Sequence, residues 1–145
     1  MHIATLKAVL IRYSIGVQSN WNWVIVSSEE WQPWVLRLRL DQRSPAYTDL
    51  VSHQTFLEGA LFSPQPRRTN ELEKNYRDPF DQLLSLAVSH ELGHAICRDR
   101  NEDIANRVAG LLRSGKHAEC ASLKSIGPIE ELFLDSQSRY LRHLQ

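Results

Sequence analysis

Cysteine is scarce in this chain, with two among 145 residues. That excludes a disulfide-built scaffold and a cysteine-only zinc ribbon, which need about four or more. Cys97 and Cys120 can form one bridge or stay free. The free, reduced pair is the expectation, because nothing else here demands an oxidising compartment. Charge of one sign is also missing: seventeen Lys and Arg balance seventeen Asp and Glu. A nucleic-acid binder normally carries a basic excess, so no nucleic-acid partner is expected. No apolar run approaches the roughly 20 residues needed to cross a bilayer, so no membrane partner is expected either. The opening stretch MHIATLKAVLIRYSIGVQ lacks a signal peptide's order of charge, long apolar core and small-residue cleavage site, so export is not expected. Internal repeats and low-complexity segments are absent, which removes solenoids and disordered linkers. What is present is a composition close to globular averages, 42% hydrophobic and 23% charged. The expectation is a single domain over 1–145 with one core.

Periodicity divides the chain in two. Ile3, Leu6, Leu10 and Tyr13 recur at helical spacing, which predicts a short amphipathic helix. WNWVIVSS, from Trp21, is rich in β-branched and aromatic residues and predicts a strand. In WVLRLRLD, Leu36, Leu38 and Leu40 alternate with Arg37 and Arg39, the pattern of a half-buried strand. TFLEGALFS, residues 55 to 63, is the third expected strand, weakened by Gly59 and ended by Pro64. Residues 63 to 78 are polar and proline-bearing and predict a loop, in which Arg67, Arg68 and Arg77 are solvated. From there the pattern is helical. Residues 79 to 97 form the strongest helix, with Asp78 as cap and Pro79 in the first turn. A second helix is expected from about Glu102 to Ser114 and a third after Pro128. Strands first and helices afterwards argue for an α+β fold with an antiparallel or mixed sheet of about three strands.

The predicted long helix carries HELGH, with His90, Glu91 and His94 in the spacing His-Glu-x-x-His. Residues four apart on a helix sit one turn above each other, so both imidazoles leave the same face and can bite a single metal ion. Glu91, one step round from His90, can reach a water that the metal acidifies, accept its proton and pass it to a leaving amine. A catalytic zinc needs a third protein ligand and an open position. The usual extension, a glycine seven and a histidine ten residues after the first histidine, is missing: Cys97 and Arg100 occupy those places. The remaining candidates are Asp99, Glu102, Asp103, His117, Glu119 and Cys120. Asn101 is a natural cap for a new helix whose first turn brings Glu102 back towards the histidines. Asn106 lies one turn further on the same face, where it can orient a ligand.

HELGH followed by NEDIAN, then Val108 and Ala109, resembles the gluzincin metallopeptidases. In that group a Glu-x-x-Ala-Asn/Asp segment on the following helix supplies the third ligand. The similarity is greatest to the ImmA/IrrE-type branch, and it covers about twenty residues. It implies a small zincin-like domain in which His90, His94 and Glu102 bind Zn2+. It also implies that Glu91 is the general base and that Asn106 supports the ligands. The activity implied is peptide-bond hydrolysis through a zinc-activated water. The break between the two segments is shorter than the group's usual one, with Asp103 and His117 the next candidates for third ligand.

A peptide or protein substrate is the expected partner, laid as an added strand along an exposed sheet edge, for which TFLEGALFS is the candidate. Oligomeric state is left open. Tyr76, His117 and Tyr140 are candidates to stabilise the oxyanion. Cys97 is expected to be a small buried residue, and Trp21, Trp23, Trp31 and Trp34 to pack around the strands. Beside the peptidase stand two alternatives: a metal-binding regulatory or sensing domain with little turnover, and an interaction domain with a chance motif. A peptide deformylase fits worse, since that chemistry expects a cysteine ligand upstream of the histidines.

Overall fold

The computed structural model describes residues 2–13, 21–116 and 120. Its elements run α1 (His2–Arg12), β1 (Asn22–Val26), α2 (Ser28–Arg37), β2 (Ala46–Asp49), β3 (Gln54–Glu58), a 3-10 turn (Gly59–Leu61), α3 (Pro66–Tyr76), α4 (Phe80–Cys97) and α5 (Glu102–Arg113). The three strands form one mixed sheet in the order β1-β3-β2. β1 runs parallel to β3, with Val24 opposite Phe56, and β2 pairs antiparallel to β3, with Thr48 opposite Thr55. Parallel neighbours cannot be joined by a tight turn, so the chain leaves β1 through α2 and returns by the β2–β3 hairpin. The fold is α+β.

Alternation along the strands sorts the sheet into two faces. Leu57 and Ala46 join the main core with Leu83, Leu84, Ala87, Val88 and Leu92 of α4, and Leu6, Val9 and Tyr13 at and beyond α1 close it. On the opposite face Tyr47, with Phe56 and Val26 partly buried, packs on Trp31 and Val35 of α2. The helix α4 therefore lies under the sheet with α3, α1 and α5 around it. Eleven of its residues are buried, including Ser89, Glu91 and His94. A helix enclosed on nearly every side must satisfy its polar groups internally. That requirement shapes the site described below.

Several sequence expectations are corrected. Residues 34 to 41 are not a strand: Trp34 to Arg37 finish α2, and Arg39 turns the chain in a left-handed conformation (φ 57°). The stretch carries two periods at once. Trp31, Trp34, Val35 and Leu38 recur at helical spacing, and burial of Trp31 and Val35 decides for it. Ser27 caps this helix by accepting the Glu30 N–H. The expected loop at 63–78 contains α3, entered through Pro66 and buried along Arg68, Thr69 and Leu72. The segment 55–63 keeps its strand only to Glu58, and β3 is the central strand, not an edge. The expected cap Asp78 is replaced by Pro79, and the first free N–H of α4, on Phe80, is accepted by Glu73 Oε2 of α3 at 2.8 Å. The hairpin strand β2 carries no strong sequence signal. Cys97 and Cys120 are joined in a disulfide, with Cα atoms 5.1 Å apart, inside the range that a bridge spans. The bridge packs beside Ile104 and Val108. The helix expected after Pro128 lies outside the described residues.

The burial of Arg68 has an energetic consequence. Far from being solvated, it is 8% exposed and grips Glu58, 1% exposed, through Nε and Nη2 at 2.8–2.9 Å. Burial pushes the Glu58 carboxyl above its ordinary pKa against the opposing pull of Arg68. The pair thus costs desolvation that only its mutual geometry offsets. Arg68→Ala is expected to strand the Glu58 charge and cost about 3–5 kcal/mol. The double change Glu58→Leu with Arg68→Met should recover most of that loss. Urea unfolding of the three proteins checks this, and equal midpoints for Arg68→Ala and the parent would refute it.

Candidate metal centre

The break between α4 and α5 is short because both of its ends are defined. Arg98 stops α4 in a left-handed conformation (φ 52°), and its N–H returns to the His94 carbonyl. Asn101 starts α5, its side chain accepting the N–H groups of Asp103 and Ile104. The two helices then pass at a contact only glycine allows. A Cβ built on Gly93 would lie 2.6 Å from both the Cα and the carbonyl oxygen of Ala105. Such distances are far inside van der Waals contact, so Gly93 lets the α5 backbone rest directly on α4. Arg113, at the far end of α5, donates to Ser89 Oγ at 2.7 Å and ties the helices again.

This packing lays Glu102 across the two histidines. Glu102 Oε2 is 2.9 Å from His90 Nε2, and Oε1 is 3.0 Å from His94 Nε2. All three ligand atoms lie within 4.8 Å of one another. A tetrahedral ion with bonds of about 2.0–2.1 Å holds its ligand atoms about 3.3 Å apart, a few tenths of an ångström beyond the two glutamate–histidine distances. The far sides of the imidazoles are occupied. His94 Nδ1–H donates to the Asp99 carbonyl at 2.8 Å, and His90 Nδ1–H to Asn106 Oδ1 at 2.9 Å. With Nδ1–H donated in this way, loss of the Nε2 proton exposes the lone pair that a metal needs. The donor set of two imidazoles and a carboxylate suits a borderline ion such as zinc. These residues can hold a metal ion.

Glu91 sits beside this group and does not join it. It is 6% exposed; Oε1 accepts a hydrogen bond from Thr48 Oγ1 at 2.8 Å, and Oε2 lies 4.0 Å from His90 Nε2. The whole group opens into a cavity of about 780 Å3, which Tyr47, Tyr76 and Asn75 also line. Burial, reinforced by the Glu91 charge, raises the Tyr76 phenol above its ordinary pKa, so it keeps its proton and can donate. Tyr47 donates instead to the Asp41 carbonyl. No protein family, curated protein or solved structure matches this chain.

All five residues singled out from the motif are brought together: His90, Glu91, His94, Glu102 and Asn106. Of the other ligand candidates, Asp99 contributes its main-chain carbonyl while its carboxylate accepts the Asn101 N–H. Asp103 is exposed in the first turn of α5. Cys120 is bridged to Cys97. Of the oxyanion candidates, Tyr76 lines the cavity, whereas His117 and Tyr140 fall outside the described residues. Thr48 was missed, since a threonine in a four-residue strand carries no signal of its own.

Charge in this group is strongly coupled. Burial pulls both imidazole pKa values down, but the hydrogen bonds they donate to Glu102 and the charge of Glu91 outweigh it. His90 ends above its ordinary value and His94 at about 9. Hydrogen bonds accepted from His90 and His94 in turn hold the Glu102 carboxyl well below the usual carboxylate range. An imidazole must be neutral to ligate, so an incoming ion competes with the proton. Zn2+ titrated into metal-free protein at pH 7 should release about one proton or more, and apparent affinity should climb as pH rises towards 9. Calorimetry in two buffers of different ionisation heat measures this; no proton release would contradict it. Gly93→Ala should force α5 off α4, destabilise the fold by about 1–3 kcal/mol and weaken Zn2+ binding. Gly110→Ala, where an added Cβ meets nothing within 4 Å, should instead stabilise by about 0.5–1 kcal/mol. Melting curves and zinc content of the two variants decide between a required contact and a merely small residue.

Proposed function

We propose that this protein is a zinc-dependent metallopeptidase of the gluzincin kind, hydrolysing peptide bonds with Glu91 as general base. One observation carries the reading. Two histidine Nε2 atoms and a carboxylate converge, both Nδ1 atoms are held by protein acceptors, and a carboxylate that is not part of the set stands beside them. An ordinary surface histidine pair has no need of such outer partners. When bound, the ion supplies a Lewis acid that polarises the scissile carbonyl and acidifies water.

The chain's own residues divide the remaining work. Glu91 Oε2 is the open oxygen that takes the proton from the attacking water and returns it to the amine leaving group. Tyr76, its phenol protonated, is the candidate donor to the tetrahedral oxyanion. Asn106 and Asp99 hold the imidazole rings in orientation. For the substrate strand the candidate edge moves from β3 to β2, which borders the cavity through Ala46 and Tyr47. A peptide laid along that edge would bring its backbone past Glu91.

Glu91→Gln preserves size and hydrogen bonding but removes the base. It should keep bound zinc and lose at least about a hundredfold in kcat on a peptide library. Cleavage at the parent rate would sink the mechanism. A parent protein that binds zinc stoichiometrically yet cuts no peptide would favour the sensing domain in its place.

A further inference from the structure

A row of polar groups crosses the buried face of the sheet and ends on Glu91. Trp21 Nε1 is 2.8 Å from Thr55 Oγ1, Thr55 Oγ1 is 3.0 Å from Thr48 Oγ1, and Thr48 Oγ1 is 2.8 Å from Glu91 Oε1. The direction of every bond is determined. An indole N–H can only donate, so Thr55 accepts from Trp21. A carboxylate oxygen accepts, so Thr48 spends its single proton on Glu91. Thr55 must then give its own proton to Thr48. The chain runs one way, from Trp21 to Glu91, following the strand order β1-β3-β2.

Both threonines are 0% exposed and Trp21 is 5% exposed. They stand directly opposite each other across the β2–β3 pairing, on the face that otherwise packs apolar residues against α4. Valine would fill the same space there without burying a hydroxyl, and strands favour it equally. The outer end is braced as well. Trp21 stacks on His53 at 5.2 Å between ring centroids, with the Arg98 guanidinium 5.4 Å from its centroid. Arg98 also donates to His53 Nε2 at 3.0 Å, and it is the residue that stops α4. The row therefore begins at the end of the metal-carrying helix and returns to its middle.

We propose that Thr48, backed by Thr55 and Trp21, is the positioning residue that holds Glu91 by Oε1 and leaves Oε2 facing the metal ligands. The proposal rests on the reading of Glu91 as the general base. A carboxylate free to rotate would present either oxygen and would fall into the ligand set. One anchored oxygen makes it a base with a single open lone-pair face. Linked hydrogen bonds also polarise one another, so the charge on Glu91 strengthens the bond that the distant Trp21 indole makes.

Two measurements test this on the full chain. In the zinc-loaded protein, Thr48→Val should lower kcat about ten- to a hundredfold on a fluorogenic peptide cut by the parent, with KM and zinc affinity unchanged. Thr48→Ser, which keeps the hydroxyl, should restore kcat. A purely structural threonine would lower the melting temperature without this split. By NMR, the Trp21 indole N–H signal should move upfield in both Thr48→Val and Glu91→Gln and stay in place in Thr48→Ser. Should Thr48→Val not fold, Thr55→Val probes the next bond outward with a smaller loss in kcat. Parent-like kcat in the valine variant, or an indole signal unmoved by Glu91→Gln, overturns the proposal. If the parent protein cuts no peptide, the peptidase reading fails by itself, and the indole signal, which needs no turnover, still decides whether the row holds Glu91.

Discussion

The centre of this protein depends on one contact, the passage of Ala105 across Gly93. An added methyl on Gly93 would sit 2.6 Å from the Ala105 backbone, so the two helices touch main chain to main chain. Only at that distance does a glutamate in the first turn of α5 reach both histidines of α4. Glu102 stands three residues before Ala105, and Asn106 stands one after it. The same contact thus places the carboxylate on the Nε2 side and the amide on the Nδ1 side of His90. Helix spacing elsewhere can relax by an ångström without consequence, but here the bond lengths of the proposed metal site leave no such slack.

The second constraint is the burial of α4. A helix surrounded by a sheet and three other helices cannot leave polar groups to water. Three of its polar side chains are therefore each met by a different neighbour: Glu91 by the sheet through Thr48, His94 by the connecting turn through Asp99, His90 by α5 through Asn106. The bonds that satisfy those groups also fix their orientation. This is why the sheet, only three strands wide, matters to the site: β2 delivers one hydroxyl to one carboxylate oxygen, and β3 and Trp21 support it from behind.

The helices of the site were legible because their signals are local. HELGH lies in a long apolar pattern, and Asn101 is a cap that any reader of helix ends would choose. Elsewhere two local signals compete. WVLRLRLD alternates as a strand does, yet Trp31, Trp34, Val35 and Leu38 also mark a helical stripe, and burial against Tyr47 and Phe56 selects the helix. The segment holding α3 is polar almost throughout, and its one fully buried leucine, Leu72, is too thin a stripe to recognise. Arg68 looked like a loop cation because the buried carboxylate it meets, Glu58, lies in another element. The order of strands was equally hidden. TFLE is central because β1 and β2 flank it, a relation between segments far apart in the chain. The Cys97–Cys120 bridge likewise depends on a return of the chain that spacing does not announce.

What the sequence by itself determined is the inventory and the periodicity: two imidazoles and a carboxylate on consecutive helices, with a second carboxylate between the imidazoles, in a small α+β chain of balanced charge. Those follow from the 3.6-residue turn and from capping, both of which act over a few residues. Tertiary structure alone decided which oxygen of Glu91 is tethered and which is open, and which acceptors fix the histidine tautomers. It also decided which strand edge borders the cavity. Each of these is a contact between elements separated by tens of residues, created when burial of apolar surface brings them together, and no local pattern encodes it.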